Sequence, residues 1–222
     1  PKVSPDKILA GFPWVYDNEL VLDRRTKQLT SGKIVKLQDN DRNFLATVVV
    51  NPKSKIFARV ITQTANKIGS SELVFDRISA AKALRESIFT DPYYRLINSE
   101  ADQMPGTIID RFGDFFVIQP NSVWSENNLK SIADALVELF NPEGIIKNAN
   151  SRARTLEGLD DCSLLVHGSV PTSPLKVPMN GAIYMADLNH GQKTGLFYDQ
   201  RQNHAFLSKI SKNKTVLDVF SH

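Results

Sequence analysis

The chain has 222 residues, of which 41% are hydrophobic and 23% charged, and its formal net charge is +3. This length is large for one domain and short for three complete ones, and the composition is that of an ordinary globular protein. No apolar run approaches the roughly 20 residues that span a bilayer, and the N-terminus has no signal-peptide core. The sequence therefore predicts a cytoplasmic protein with no membrane partner.

The positive charge is concentrated at one end of the chain. Residues 1–70 contain 12 lysines and arginines against 6 acidic residues, a net charge of +6, whereas residues 71–222 contain 15 against 18, a net charge of −3. A small basic segment attached to a mildly acidic body indicates that the basic part meets a polyanion. A solvated basic surface without a partner is the alternative.

Three segments within residues 1–70 predict β-strands, at 32–37, 44–50 and 55–61. They are apolar or alternating, and turn residues separate them. Because no long helical stretch lies between them, they favour a small β-barrel. The polar segment 63–71 is the predicted linker to the next part of the chain.

The pattern over residues 74–172 predicts an α+β domain with its helices on one face of the strands. A first helix is expected over 75–89 and a second over 127–140, and strands are expected at 107–110, at 115–118 and from Gly144. The first helix is predicted to place four apolar residues on one side: Ile78, Ala81, Leu84 and Ile88.

Residues 173–222 predict a strand at 181–187, a helix over 199–208 and a closing strand over 214–220. A strand that ends in an acidic residue and an aromatic is typical of the start of a doubly wound α/β domain. Such a parallel strand needs neighbours in a sheet. We therefore expect a connecting hairpin and the truncated start of a Rossmann-like domain.

Three segments resemble one family, the large-subunit ribosomal RNA (cytosine-5)-methyltransferases that carry an N-terminal PUA domain. They are LAGFPWVY at 9–16, YRLINSEADQMPGTIIDRFG at 94–113, and GQKTGLFYDQR at 191–201 with VLDVFS at 216–221. A histidine is usual in the family where Phe12 stands. The resemblance implies a multidomain protein: a PUA-like RNA-binding barrel over 1–70, a central α+β domain over 74–172, and the start of a class I methyltransferase domain over 173–222.

The resemblance implies S-adenosylmethionine as the cofactor. Asp218 would bind the amino-acid end of the cofactor, and Phe220 and Ser221 would begin the wall beneath it. The resemblance also places Lys193, Thr194, Asp199 and Arg201 beside the same pocket, so all seven residues are predicted to be cofactor-binding. The alternatives are a helix N-cap with an exposed arginine at 199–201 and a strand-end turn at Asp218.

Ribosomal RNA is the expected partner, with a homodimer as a possible assembly. Phosphate contacts are expected from basic residues of the first 70 positions. Phe12 and Trp14 could present a surface to RNA, although aromatics at such positions more often lie in a core. The residues predicted to bind RNA are Arg24, Arg25, Lys33, Arg42 and Arg59.

No catalytic residue is predicted within the chain. In cytosine-5 methylation a cysteine thiolate attacks the base, but Cys162 follows Asp160 and Asp161, whose negative charges disfavour a thiolate there. The family's nucleophile lies beyond residue 222, so the chain is expected to be inactive alone. The four histidines have no metal-ligand spacing, and no metal site is expected.

Two other functions are compatible with the sequence. One is a non-catalytic RNA-binding protein, and the other is guanine-N7 methylation, whose enzymes share the central and methyltransferase domains but lack the PUA domain. Arg152 and Arg154 with Glu157-Gly158 resemble a further family motif. An RNA contact and a role in domain packing are both open for it.

Overall fold

The structure is a computed structural model that describes residues 5–64, 70–189, 191, 194–217 and 219, the side chain of Ser70 excepted. Its first sheet is antiparallel with the strand order β1-β4-β3-β2. Two short helices, α1 and α2, accompany it. The bounds are α1 Pro5–Leu9, β1 Trp14–Val15, α2 Arg24–Lys27, β2 Ile34–Gln38, β3 Phe44–Val50 and β4 Ala58–Thr62.

The first sheet confirms the predicted strands at 32–37 and 44–50, whereas the third strand begins three residues later than predicted. Register shifts in the β2–β3 and β3–β4 pairs curve the sheet around its own core, which includes Ile8, Val48 and Phe57. The described ladders do not pair β1 with β2. The described ladders therefore do not close the sheet into a barrel.

The central sheet has five strands in sequential order, antiparallel except for the parallel pair β7–β8. Helices α4 and α5 make the crossover between those two strands, and α3 precedes the sheet. The bounds are α3 Ser70–Ile88, β5 Tyr93–Asn98, β6 Thr107–Phe112, β7 Phe115–Pro120, α4 Val123–Asn127, α5 Leu129–Phe140, β8 Gly144–Lys147, α6 Arg152–Glu157 and β9 Leu164–Gly168.

The predicted helices of this region exist with different limits. α3 starts at Ser70 rather than at 75, and the predicted helix 127–140 corresponds to α5, which begins at Leu129 because a break at Asn128 separates it from α4. Of the four apolar residues predicted to share one side of α3, Ile78 and Ala81 are buried, whereas Leu84 and Ile88 are 51% and 61% exposed. The end of α3 is held instead by Arg85, which donates to the Arg95 carbonyl and to Asp102.

Both faces of the central sheet are covered. Because side chains alternate along a strand, Phe116 and Ile118 face the core under α3 and α5, while Val117 faces a second core. This second core contains residues of the hairpin β10 Leu175–Met179 and β11 Ala182–Ala186. The tight turn of the hairpin has positive φ at both Asn180 and Gly181, as a type I′ turn requires.

The last part of the chain departs from the prediction. The predicted helix 199–208 is a 3₁₀ turn, Tyr198–Gln200, followed by α7 Arg201–Ile210. The closing strand is wrong for the described residues 215–217 and 219, which have no regular structure. The reason is that no described strand pairs with them.

Two kinds of feature are absent from the part of the chain that the structure describes. None of its helices is long and apolar enough to cross a membrane. None of its histidine, cysteine, aspartate and glutamate residues form a group of three or more that could hold a metal ion.

Candidate functional site

The first sheet is joined to the central sheet by a bridge of charged side chains around Arg59, each at most 15% exposed. This arginine of β4 lies 2.9 Å from Glu100, in the turn after β5, and 2.9 Å from Glu157, at the end of α6. The indole nitrogen of Trp14 donates to the same Glu100 carboxylate at 2.8 Å. Residues far apart in the chain thus meet in one hydrogen-bonded cluster, which fixes the relative position of the two sheets.

Glu157 extends this bridge into the turn after β3. The Asn51 amide donates to both the carbonyl and the carboxylate of Glu157, each at 2.9 Å, and the Ser54 hydroxyl donates to the carboxylate at 3.0 Å. Glu157 is only 4% exposed. A buried carboxylate is tolerated because it is paired and hydrogen-bonded.

The prediction that Arg59 contacts RNA therefore needs a correction. Its side chain is 12% exposed, and its guanidinium is held by two carboxylates. Phosphate would have to displace one of them. The role indicated by this geometry is packing between the sheets. Trp14 has the same role, and it packs edge-on against Phe12.

The motif around α6 also packs the protein rather than facing a ligand. Arg154 is 1% exposed, and it donates to Glu126 at 2.7 Å, to both a carboxylate oxygen and the carbonyl of Asp160, and to the Pro120 carbonyl. Lys147 binds the other oxygen of Glu126 at 2.6 Å. Of the two interpretations open for this motif, burial favours domain packing for Arg154. Arg152 is exposed.

The other four predicted RNA ligands have a different environment. All are exposed, and none forms a salt bridge with a described residue. Two of them lie on α2, which Asp23 caps by accepting hydrogen bonds from the backbone and the hydroxyl of Thr26, each at 2.7 Å. The backbone hydrogen bond lowers the pKa of Asp23. The four cations are Arg24, Arg25, Lys33 and Arg42.

A second cluster ties the segment after the hairpin to the central sheet. Asp110 of β6 is fully buried, and it accepts two hydrogen bonds from Arg95 of β5, at 2.9 and 3.1 Å. The Thr194 hydroxyl donates to the same carboxylate at 2.6 Å. Burial alone would lower the pKa of Arg95, but the hydrogen bonds and charge of Asp110, with the charge of Asp199, raise it above its ordinary value. Arg95 is therefore a permanent cation.

Tyr198 and Arg201 continue this attachment. The Tyr198 hydroxyl donates to the Arg111 carbonyl at 2.8 Å, and its ring stacks on Phe112. Burial raises the pKa of Tyr198 far above its ordinary value. Arg201 donates to the Tyr93 carbonyl, and its guanidinium carbon lies 4.6 Å from the centre of the Phe89 ring. Burial lowers the pKa of Arg201.

These residues surround a cavity of about 270 Å³ between α3, β5 and the 3₁₀ turn at Tyr198. We call it the arginine cavity. Its wall combines three guanidinium groups with aromatic rings and one carboxylate. The residues used below are Arg85, Phe89, Arg95, Tyr198, Asp199 and Arg201.

The predicted cofactor residues have different positions in the structure. Thr194 is 1% exposed and its hydroxyl binds Asp110, so this geometry gives it an anchoring role and corrects the prediction of a ligand contact. Asp199 and Arg201 line the arginine cavity. The alternative, a helix N-cap with an exposed arginine at 199–201, is confirmed only for the cap: Gln200 is the N-cap of α7, whereas Arg201 is only partly exposed. Lys193, Asp218, Phe220 and Ser221 lie outside the described residues.

Sequence reasoning missed the partners of these residues. Asp110 was predicted only as the end of a strand, and Arg95 only as part of the family-like segment 94–113, yet they are cross-strand partners in the β5–β6 register. Glu100 and Glu157 gave no periodic signal, because their partners lie 41 to 106 residues away. Cys162 is exposed.

Known proteins resemble this chain at two levels, over its first domain and over nearly its whole length. Residues 4–63 match the model of a PUA-like domain family. The chain is 33% identical over 218 residues to ribosomal RNA large subunit methyltransferase I of Vibrio vulnificus (strain CMCP6), covering 97% of this chain and 54% of that protein. The protein of the same name from Aliivibrio fischeri (strain ATCC 700601 / ES114) is 32% identical, covering 95% and 53%. The chain thus spans about half the length of the curated relatives it matches.

Solved structures share the fold. A putative SAM-dependent methyltransferase from Streptococcus mutans superposes with a TM-score of 0.75 at 20% identity, covering 91% of this chain and 51% of that one. SMU.776, a putative methyltransferase complexed with SAH, gives a TM-score of 0.74 at 20% identity, covering 91% and 50%. The fold is therefore a PUA-like domain joined to a mixed sheet with helices of the kind found in these methyltransferase structures.

Proposed function

We propose that this chain is part of an S-adenosylmethionine-dependent methyltransferase that modifies large-subunit ribosomal RNA. The observation that carries the proposal is the likeness to proteins of that name over 97% of this chain, through both sheets and the segment that follows them. The cofactor supplies the methyl group. The proposal includes a cytoplasmic location; the comparisons give no support to a homodimer.

Within this proposal, residues 1–70 hold RNA, residues 74–172 help shape the substrate cleft, and residues 173–222 begin the methyltransferase domain. Exposed cations on the first sheet would bind phosphates without reading the sequence. Lys193, Asp218, Phe220 and Ser221 remain proposed cofactor contacts on the resemblance alone. Thr194 contributes indirectly, because its bond to Asp110 holds the preceding segment on the central sheet.

We further propose carbon 5 of a cytosine as the methyl acceptor. The base would have to leave its stack to reach a pocket. The PUA-like match at 4–63 favours this reaction over guanine-N7 methylation, whose enzymes lack that domain in the family pattern. The attachment of Tyr198 and Arg201 to the central sheet argues against a binding protein with a vestigial tail, because that segment is part of the packed structure.

The test is methyl transfer by a protein that covers the full length of the curated relatives. Radiolabelled S-adenosylmethionine and unmodified ribosomal RNA would be the substrates, and mass spectrometry of the product nucleosides would identify the methylated atom. We expect 5-methylcytidine. A product of 7-methylguanosine would replace the cytosine proposal, and RNA binding without methyl transfer would favour the binding protein.

Asp218 provides a sharper variant in the same assay. Replacing Asp218 with Ala should weaken cofactor binding by about 1.5–3 kcal/mol, the usual contribution of a hydrogen bond to a charged group. The matched control is Asp134→Ala, which removes an exposed carboxylate on α5. Equal cofactor affinity in both variants would remove Asp218 from the proposed site.

A further inference from the structure

The arginine cavity has more hydrogen-bond donors than the described protein acceptors use. Arg85 donates to the Arg95 carbonyl and to Asp102, Arg95 makes both of its bonds to Asp110, and Arg201 makes one to the Tyr93 carbonyl. A guanidinium has five N–H donors in a planar fork. Each of the three groups therefore retains donors while lining the same space.

Arg201 differs from the other two in its charge balance. Arg85 is paired with Asp102 at 2.7 Å and Arg95 with Asp110 at 2.9 Å. Arg201 has no carboxylate within ion-pair distance among the described residues, and its buried Nε has no hydrogen-bond partner there. The rings of Phe89 and Tyr198, at 4.6 and 5.6 Å, hold this guanidinium in place. The cavity thus contains an oriented cation that no described carboxylate pairs with.

We propose that the arginine cavity binds a backbone phosphate of single-stranded RNA, with Arg201 as its principal ligand. A planar guanidinium matches the oxygens of a phosphate in a bidentate arrangement. Stacking on aromatic rings keeps the fork oriented, so little conformational entropy is lost on binding. The choice of RNA rests on the proposed function, whereas the affinity for phosphate does not.

The position of the cavity favours a phosphate from a polymer over a free nucleotide. Asn98 lines the arginine cavity, and Glu100, two residues further on, contacts Trp14 and Arg59 of the first sheet. A second cavity of about 360 Å³ lies beside the same turn, and its wall includes Glu100 and Thr62. An RNA strand held by the PUA-like segment would follow this turn from one cavity to the other.

Asp199 distinguishes this ligand from the cofactor predicted there from the sequence. Its carboxylate lies at the cavity and raises the pKa of Arg95. A phosphate is repelled by this carboxylate, whereas the ammonium group of S-adenosylmethionine would be attracted to it. Asp199→Asn should therefore tighten phosphate binding and weaken cofactor binding. Asp199 is exposed, so this variant should keep the fold.

The experiment measures binding of a fluorescein-labelled oligouridine to the 222-residue chain over a range of salt concentrations. Arg201→Ala should weaken binding on the order of tenfold at low salt and reduce the slope of log affinity against log salt by about 0.7, the value for one phosphate contact on a single strand. Arg201→Lys should recover part of the affinity but not the bidentate geometry. Lys130→Ala, which removes an exposed cation on α5, is the control and should leave the slope unchanged.

The outcomes separate the inference from the function on which it rests. The phosphate site would be overturned if RNA bound tightly and the slope of log affinity against log salt were equal for wild type, Arg201→Ala and Asp199→Asn. The RNA function would still stand. No RNA binding by the wild type would count against the RNA function. If inorganic phosphate or cytidine monophosphate binds in the cavity but the oligouridine does not, the cavity would be assigned to a free phosphate. Weaker RNA binding by Asp199→Asn, with weaker binding of S-adenosylhomocysteine, would assign it to the cofactor.

Discussion

The two sheets use their basic residues in opposite ways. On the first sheet and its helix α2, the predicted RNA ligands other than Arg59 are exposed, and they form no ion pair with described residues. In and around the central sheet, Arg95, Lys147 and Arg154 are each paired with carboxylates, and Lys147 and Arg154 are almost fully buried. Net charge alone does not show this difference.

Arg59 shows what the comparison teaches. It belongs to the basic first sheet by position but to the buried network by environment, because it pairs with Glu100 and Glu157 from the central region. A cation can attract RNA only if its charge is not already compensated by the protein. The central region thus compensates Arg95, Lys147 and Arg154 with its own carboxylates, and it compensates one cation of its neighbour as well.

The largest expected effect is the loss of a buried cation. Replacing Arg154 with Ala removes one of the two cations paired with Glu126, the other being Lys147, and leaves the Pro120 carbonyl without its donor. Breaking a buried ion pair in this way should lower the free energy of unfolding by about 3–5 kcal/mol. Urea unfolding followed by circular dichroism would measure it. Arg152→Ala, two residues away and exposed, should stay within about 0.5 kcal/mol. Similar losses for both would mean that burial does not distinguish these arginines.

A smaller effect is expected at the bridge between the sheets. Glu157→Gln keeps the shape of the side chain but removes the charge that faces Arg59, Asn51 and Ser54. We expect a loss of about 1.5–3 kcal/mol, the range for hydrogen bonds to charged groups. A double-mutant cycle with Arg59→Met should give a coupling energy above about 0.5 kcal/mol. If the losses of unfolding free energy in the two single variants simply add in the double variant, the pair does not join the sheets. The control is Glu138→Gln, which changes an exposed carboxylate.

The parts of the fold that depend on local patterns were predictable from the sequence. Alternation indicated β2, an apolar run indicated β3, and two apolar segments joined by a turn indicated the β6–β7 hairpin. The apolar spacing over 127–140 indicated the helix that is α5. The polar clusters were not predictable, because Arg59 finds its partners 41 and 98 residues along the chain. The strand over 214–220 was predicted from a local pattern, and a strand requires a hydrogen-bonded neighbour that local sequence does not specify.

Glu100, which contacts Arg59 and Trp14 of the first sheet, makes the stability of the fold depend on pH. Burial would raise the pKa of this carboxyl, but hydrogen bonds from Ser99 and Trp14 and the charge of Arg59 hold it below its ordinary value of 4.5. The group therefore favours the folded state above pH 4.5, and this contribution is lost as the pH falls from there through the lower pKa of the folded state. Glu100→Gln should flatten the acid side of the stability–pH curve measured by urea unfolding. An unchanged acid limb relative to the wild type would contradict this account.

The smallest effect on stability is expected where the cations are exposed. Replacing both Arg24 and Arg25 with Ala should change the free energy of unfolding by no more than about 0.5 kcal/mol, because neither side chain has an ion pair with a described residue and the Asp23 cap of α2 remains. If the first sheet binds RNA phosphates, the same variant should reduce the salt slope of binding to structured RNA by about 0.9 for each phosphate that is no longer neutralised.

Arg59→Met should show the reverse pattern, with a clear loss of stability and no change of slope beyond that caused by unfolding. Fluorescence anisotropy and urea unfolding on the same three proteins would decide between the roles. A slope that falls for Arg59→Met but not for the α2 variant would mean that the buried bridge opens to receive RNA, and the contrast between exposed and compensated cations would then fail.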